Sequence, residues 1–206
     1  MIEAVVFDIG NVLVEWHPER VYDAVVGPAL RDHLFHVVGL DAMNAAVDAG
    51  APFAASVEAL AARHPEHAPH IRLWHDRWAD MFAPEIPLSA HLLRALRARG
   101  VPVLALSNFG RETFAMAERM YPVLAEFDRR YVSGHLGVIK PDPRIYEIVE
   151  QDAGVAPGGL FFIDDRADNI AAAAARGWQV HHFTGPEALA ARLVAEGILS
   201  AEEARP

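Results

Sequence analysis

From about residue 88 onward, short unbroken apolar runs alternate with amphipathic helical stretches, and few folds accept such a pattern. A helix is expected over Ser89–Arg99, closed by Gly100 where a C-terminal glycine belongs, and a strand over Pro102–Leu106. The order continues with helix Arg111–Tyr121, a strand near Arg130–Ser133, helix Pro143–Asp152 and strand Leu160–Ile163. Helix Asn169–Arg176, stopped by Gly177, precedes strand Trp178–Phe183 and a last helix from Thr184 and Pro186 to about Glu196. Asp142 and Pro143 suit an N-cap followed by a first-turn proline. Strands alternating with helices assemble into a parallel sheet through right-handed crossovers. They read as continuous apolar runs because helices cover both faces.

One further run stands apart from these. Ala4–Val14, AVVFDIGNVLV, has the β-branched and aromatic character of a buried strand at Val5, Val6 and Phe7, and the chain turns after Asp8 at Gly10 and Asn11. Asp8 is therefore aimed out of the core at the strand's carboxyl end, where open parallel sheets bind ligands. By itself an aspartate after a strand is more often a turn former or helix cap. Its weight comes from what stands at the other strand ends.

Between Glu15 and about Leu88 the pattern is helical and predicts no strand. Helices are expected over Pro18–Val26 and Pro28–Val38, a short one from Asp41, one from Pro52 to Arg63, and, after a broken stretch His64–His70, one over Ile71–Phe82. The last presents Leu73, Trp74, Trp78, Met81 and Phe82 at helical spacing. A chain of 206 residues is long for one minimal domain and short for two, so the expectation is an α/β, doubly wound core built from residues 1–14 and 88–206. Residues 15–87 are then a small helical domain inserted after the first strand.

Composition narrows the chemistry. There is no cysteine, which excludes disulfides, thiolate metal sites and a cysteine nucleophile. No run approaches the roughly 18 apolar residues of a membrane span, and the first strand follows no basic leader, so a soluble, cytoplasmic protein is expected. A net charge of −10 with no basic cluster argues against a nucleic-acid partner, and an anionic substrate would need a local device such as a metal ion. Of 18 basic residues 17 are arginine, so Lys140, the only lysine, marks a position that needs a compact ammonium rather than a planar fork. Asparagine occurs four times, and Asn11, Asn108 and Asn169 fall in the strand-end stretches while Asn44 does not.

Four strand-end positions thus carry polar groups: Asp8, Ser107 with Asn108, Lys140, and Asp164 with Asp165. Together they offer a carboxylate nucleophile, a hydroxyl with backbone donors, an ammonium, and a carboxylate pair suited to a hard cation. That inventory fits phosphoryl transfer, in which charge spreads over peripheral oxygens and an attacking oxygen is held in line. Asp164 and Asp165 could instead merely favour a helix N-terminus, although two adjacent acids after an apolar strand are less easily dismissed.

With FDIGNV, LALSN, Lys140-Pro141-Asp142 and FFIDDRADN in this order, the chain resembles the haloacid dehalogenase-like hydrolases over almost its whole length, with the helical block at the place of that family's C1 cap. FDIGNV with KPDPRIY and FIDDRADNI looks most like the subgroup that includes α-D-glucose-1-phosphate phosphatase. The resemblance implies a Rossmann-like core, a Mg²⁺ cofactor and a small phosphate ester as substrate. Asp8 would be the nucleophile, forming an aspartyl-phosphate. Ser107 and the backbone at Asn108 would hold phosphoryl oxygens, and Lys140 would neutralise the charge shared by Asp8 and phosphate. Asp165 would be the main Mg²⁺ ligand, with Asp8, Asp164 and the Gly10 carbonyl completing the protein's share, while Asn169 and Asn11 support the site.

In most phosphatases of that family a second aspartate, acting as general acid and base, stands where this chain has Gly10. A missing general acid costs about 10²–10⁴ in rate. Three answers stand open: a leaving group that needs little protonation, as in a sugar-1-phosphate; another residue or water; or binding without efficient turnover. His17, beside Trp16 over the expected substrate mouth, is one candidate donor, although a histidine before proline is more often structural. Trp74 and Trp78, four apart on one helical face, are read as core of the inserted domain, with lining of the pocket as the alternative. His64, His67 and His70 are read as a solvated loop because Pro65 and Pro69 break the helix that would align them. The competing functions are a 2-haloacid dehalogenase, which uses the same nucleophile without metal, and a non-catalytic phospho-ligand binder.

Overall fold

A computed structural model describes residues 2–205. Its strands are β1 (Ala4–Phe7), β2 (Val14–Trp16), β3 (Phe82–Glu85), β4 (Val103–Ser107), β5 (Arg129–Val132), β6 (Leu160–Asp164) and β7 (Gln179–His182). The helices before β3 are α1 (Pro18–Val26), α2 (Pro28–Asp32), α3 (Leu40–Asp48), α4 (Phe53–Arg63), α5 (Ala68–Asp76) and α6 (Trp78–Met81). Those after it are α7 (Pro87–Ala98), α8 (Arg111–Met120), α9 (Ser133–Leu136), α10 (Pro143–Ala153), α11 (Ala167–Ala175) and α12 (Pro186–Ala195).

Five strands form one parallel sheet in the order β5-β4-β1-β6-β7. The chain winds outward from β1 through β4 to β5, then crosses to β6 and β7 on the other side, so β1 stands where the winding reverses. This is the Rossmann-like α/β arrangement expected, and the reversal opens a crevice at the carboxyl end of β1.

The runs of β1, β4 and β6 are continuous because every residue has a core to enter. Val5, Phe7, Val103, Ala105, Phe161 and Ile163 project into one apolar cluster with Leu92, Leu96, Leu189 and Leu193 of α7 and α12. Val6, Leu104, Leu106, Leu160 and Phe162 project into the other, against Ile145, Tyr146 and Val149 of α10. The first cluster continues into the helical segment between β2 and β3: Phe82 and Trp78 meet Phe109, which follows β4, at ring-centroid distances of 5.2 and 5.9 Å.

Several expectations are corrected. Residues 15–88 do contain strand: β2 and β3 pair antiparallel, Val14 with Glu85 and Trp16 with Phe82, and tie the two ends of the helical segment together. Strands of three and four residues whose partners lie 66 to 71 positions away leave no periodicity to detect. The helix expected over Pro28–Val38 changes to π-helical geometry over His33–Val38 and stops at Gly39, whose φ of 98° is left-handed. The helix expected over Ile71–Phe82 begins earlier, with Pro69 in the first turn where its missing N–H costs nothing, and breaks at Arg77. A short helix, α9, precedes the loop carrying Lys140.

Leu96 is fully buried in α7, whereas Val37 is 70% exposed. Leu96→Ala should lower stability by about 2–5 kcal/mol in denaturant titrations, and Val37→Ala should stay within about 0.5 kcal/mol.

Candidate active site

Asp8 leaves β1 held by the ladder, its N–H donating to the Ile163 carbonyl at 2.8 Å. Its Oδ1 accepts from the Ile9 N–H at 2.7 Å and lies 3.0 Å from Lys140 Nζ. The Lys140 ammonium is buried, and it also donates to Asp164 Oδ2 at 2.6 Å and to the Leu106 carbonyl at 2.8 Å. Three donors meet three acceptors at the ends of β1, β6 and β4. The Asn108 side chain clasps the Lys140 peptide: Oδ1 accepts its N–H at 2.7 Å and Nδ2 donates to its carbonyl at 2.9 Å. That leaves the Ser107 hydroxyl and the backbone of this loop as the groups presented to the crevice.

Asp164 is fully buried and its oxygens are engaged. Besides Lys140 it accepts from the Arg166 N–H at 2.8 Å and from Asn169 Nδ2, 3.0 Å from each oxygen. Asp165 is only partly buried, and Asn11 Nδ2 donates to its Oδ2 at 3.1 Å. Asn11 has a φ of 57°, left-handed geometry that a short polar side chain tolerates, and its Oδ1 accepts the Trp16 N–H at 2.8 Å. Gly10 needs no such freedom: a Cβ there would meet only Trp16 Cβ at an ordinary 3.8 Å. Nothing steric keeps this position a glycine.

Burial pushes the Asp8 carboxyl up to about 7, with Lys140 opposing and Asp164 adding to the rise. Burial alone would lower the Lys140 ammonium, but Asp8 and Asp164 more than offset it, and it stays charged above its ordinary range. Oxygens of Asp8, Asp164 and Asp165 lie within 4.8 Å of one another, so three carboxylates face one ammonium. Hard oxygen donors with uncompensated negative charge fit a divalent cation such as Mg²⁺. Asn169 Oδ1, buried without a hydrogen-bond partner, adds an open acceptor beside them.

Asp8, Gly10, Asn11, Ser107, Lys140 and Asp165 line one side of a cavity of about 520 Å³, with Asp164 buried behind them. The helical segment supplies the other side, with Trp16, Trp74, Trp78 and Phe82 as an aromatic wall and Glu19, Asp41, Asn44 and Asp48 as polar groups. Trp74 and Trp78 are thus core and cavity wall at once, the two roles open to them in sequence. His17 is not among the lining residues; its ring is 47% exposed, 3.7 Å from Glu15. Of the three histidines expected in a solvated loop, His70 lies in α5 with a buried Nδ1, and His67 packs edge-on against His33 at 5.3 Å.

Asp48 is the residue that sequence reasoning missed most clearly. It closes α3, its Oδ2 accepts from Asn44 Nδ2 at 3.0 Å, and Asn44 Oδ1 accepts from Trp74 Nε1 at 3.3 Å. Burial pushes its carboxyl up to about 7 against the opposing effect of the Gly110 N–H. An acid near a helix end carries no signal in sequence. Asn44 did carry one, because all four asparagines of the chain prove to line the cavity.

The model of the haloacid dehalogenase-like hydrolases matches residues 2–177. Over 93 residues, 45% of this chain and 47% of the relative, the sequence is 32% identical to a sesquiterpene phosphatase, astK, of Aspergillus oryzae. The chain spans about half or less of the length of the curated relatives it matches. Among solved structures, a HAD family enzyme from Bacteroides thetaiotaomicron in complex with magnesium and inorganic phosphate superposes with a TM-score of 0.71. That pair is 22% identical, over 90% of this chain and 96% of the other. The L-2-haloacid dehalogenase of Xanthobacter autotrophicus with covalently bound chloropropionic acid superposes with a TM-score of 0.62, at 21% identity over 97% and 85% of the two chains. At these identities the superpositions establish the shared fold.

Folded Asp48 holds a proton that the unfolded chain releases above its ordinary value of 3.8, so this group makes the protein less stable as pH rises from there to about 7. Asp48→Asn removes the effect. Its stability relative to wild type should therefore increase with pH across that window and level off above it, as read from denaturation midpoints at about pH 5 and about pH 8.

Proposed function

The chain belongs to the haloacid dehalogenase-like hydrolases, and from that premise we propose a Mg²⁺-dependent phosphatase that hydrolyses a small phosphate ester through an aspartyl-phosphate on Asp8. The observation that carries this reading is the buried Lys140 ammonium between Asp8 and Asp164, with Asp165 close by, at one side of the cavity. An Asp8 oxygen attacks phosphorus, and the ester oxygen departs. Water then attacks the acyl phosphate, releasing phosphate and restoring Asp8. Lys140 offsets the negative charge that nucleophile and phosphoryl group share. The Ser107 hydroxyl and the Asn108 backbone N–H serve the phosphoryl oxygens. Asp8, Asp165 and the Gly10 carbonyl would hold Mg²⁺, with Asp164 behind them through its bonds to Lys140 and Asn169, and the ion would supply charge neutralisation at the phosphoryl oxygens. Residues 15–87 act as a cap that closes over the leaving group and excludes water.

The substrate class proposed is a sugar phosphate such as a sugar-1-phosphate. Aromatic faces beside carboxylates and an amide suit a polyhydroxylated body, and an anomeric oxygen departs as a weaker base than an alkoxide. The same acidic wall speaks against a 2-haloacid, whose carboxylate would meet Glu19, Asp41 and Asp48 as well as the Asp8 cluster. The phosphatase relative and the neighbour solved with magnesium and inorganic phosphate support the phosphatase reading.

Phosphate release from glucose-1-phosphate, glucose-6-phosphate and p-nitrophenyl phosphate tests it. The expected result is release with Mg²⁺, none with EDTA, a loss of at least about 10³-fold for Asp8→Asn, and a higher kcat/KM for glucose-1-phosphate than for glucose-6-phosphate. Halide release from a 2-haloacid that persists in EDTA, with no phosphate release, would replace this reading by the dehalogenase.

A further inference from the structure

The cavity contains a carboxyl that the steps above leave idle. Asp48 belongs to the helical segment, yet the last turn of α3 is pressed onto the loop that follows Ser107 and Asn108. The Asp48 carbonyl accepts from Ser133 Oγ at 2.6 Å, and the same Oγ accepts from the Phe109 N–H at 2.8 Å. A Cβ on Gly110 would come within 2.5 Å of Val47 Cγ1, so only glycine permits this close approach. The carboxyl itself accepts from Asn44 Nδ2 at 3.0 Å. It lines the same cavity as Asp8 and Ser107, from the wall that the helical segment supplies.

We propose that Asp48 is the general acid and base of the reaction, giving its proton to the ester oxygen as the P–O bond breaks and so doing from the helical wall what no side chain at Gly10 can do. The proposal rests on the phosphatase reading of this site. In the first step Asp8 attacks phosphorus, the electron pair of the breaking bond stays on the ester oxygen, and the Asp48 O–H proton moves to that oxygen. An alcohol leaves and Asp48 is left as a carboxylate. In the second step Asp48 takes a proton from the water that attacks the aspartyl-phosphate, so phosphate departs and both carboxyl groups return to their starting states. The sum is ester plus water giving alcohol plus phosphate.

The environment suits a group that must carry a proton at neutral pH. Burial raises the carboxyl, and no cation among the described residues pairs with it to hold it ionised. A group poised near the working pH is the effective compromise between donating and accepting. The Asn44 amide orients it without fixing its charge, because it can donate to an acid's carbonyl oxygen as well as to a carboxylate.

The test is kcat/KM with Mg²⁺ for wild type, Asp48→Asn and Asp48→Ala on glucose-6-phosphate, glucose-1-phosphate and p-nitrophenyl phosphate. The losses should follow leaving-group basicity: about 10²–10⁴-fold on glucose-6-phosphate, less on glucose-1-phosphate, and least on p-nitrophenyl phosphate, whose phenolate departs without a proton. Asparagine preserves the hydrogen bonds that dock α3, and alanine gives a second comparison should the amide disturb that turn. Equal losses on all three esters, or no loss on glucose-6-phosphate, would overturn the proposal and leave the phosphatase standing. A wild type that releases phosphate from no ester would instead remove the phosphatase reading, and this inference with it.

Discussion

One buried ammonium organises the carboxyl rim of this sheet. Lys140 spends its three donors on Asp8, Asp164 and the Leu106 carbonyl, and in doing so ties the ends of three strands that are distant in sequence. A charge taken out of water is costly unless every donor is met, and removing one partner of such a cluster costs about 3–5 kcal/mol. Arginine, abundant elsewhere in the chain, is a planar fork and cannot aim three donors at a compact set of acceptors. The Asn108 side chain, bonded to both the N–H and the carbonyl of Lys140, shows how much of the neighbourhood exists to place that one residue.

The ammonium does not balance the site. Asp8, Asp164 and Asp165 together outweigh it, and burial drives Asp8 toward its neutral form. The two aspartates of the pair resolve this differently. Asp164 is consumed by hydrogen bonds from Lys140, Arg166 and Asn169, whereas Asp165, steadied by Asn11 alone, keeps its electron pairs free for a cation. Asn11 links the two halves of the rim. Its left-handed turn sends the chain away after Asp8 while its amide reaches Asp165 on one side and the start of the helical segment, at Trp16, on the other.

The helical segment is joined to the sheet by a shared apolar cluster, the β2–β3 ribbon and the seam at Gly110. Stability and binding therefore use the same side chains: Trp74 and Trp78 are almost wholly buried and still form cavity wall. The polar part of that wall is mostly acidic, and among the described residues the cations that line the cavity are Lys140 and Arg166. A ligand presenting a phosphate or a carboxylate to that wall would meet repulsion there, while hydroxyl groups would find acceptors.

What the sequence determined by itself is the order of strands and helices and the residues at the strand ends. Apolar runs, proline starts and glycine stops are local signals, and a parallel α/β sheet brings all its carboxyl ends to one edge whatever the helices between them do. Hence Asp8, Ser107, Asn108, Lys140, Asp164 and Asp165 could be assembled on paper, and the scarcity of lysine and asparagine pointed to the same places. Only the tertiary structure decided the opposite wall. The β2–β3 ribbon, the exclusion of His17 from the cavity, and the delivery of Asn44 and Asp48 to it depend on how helices pack across long separations. No period of 2 or 3.6 residues encodes that packing. Gly110 shows the limit: its lack of a side chain is what lets α3 dock, yet in the sequence it is a glycine before a helix like any other.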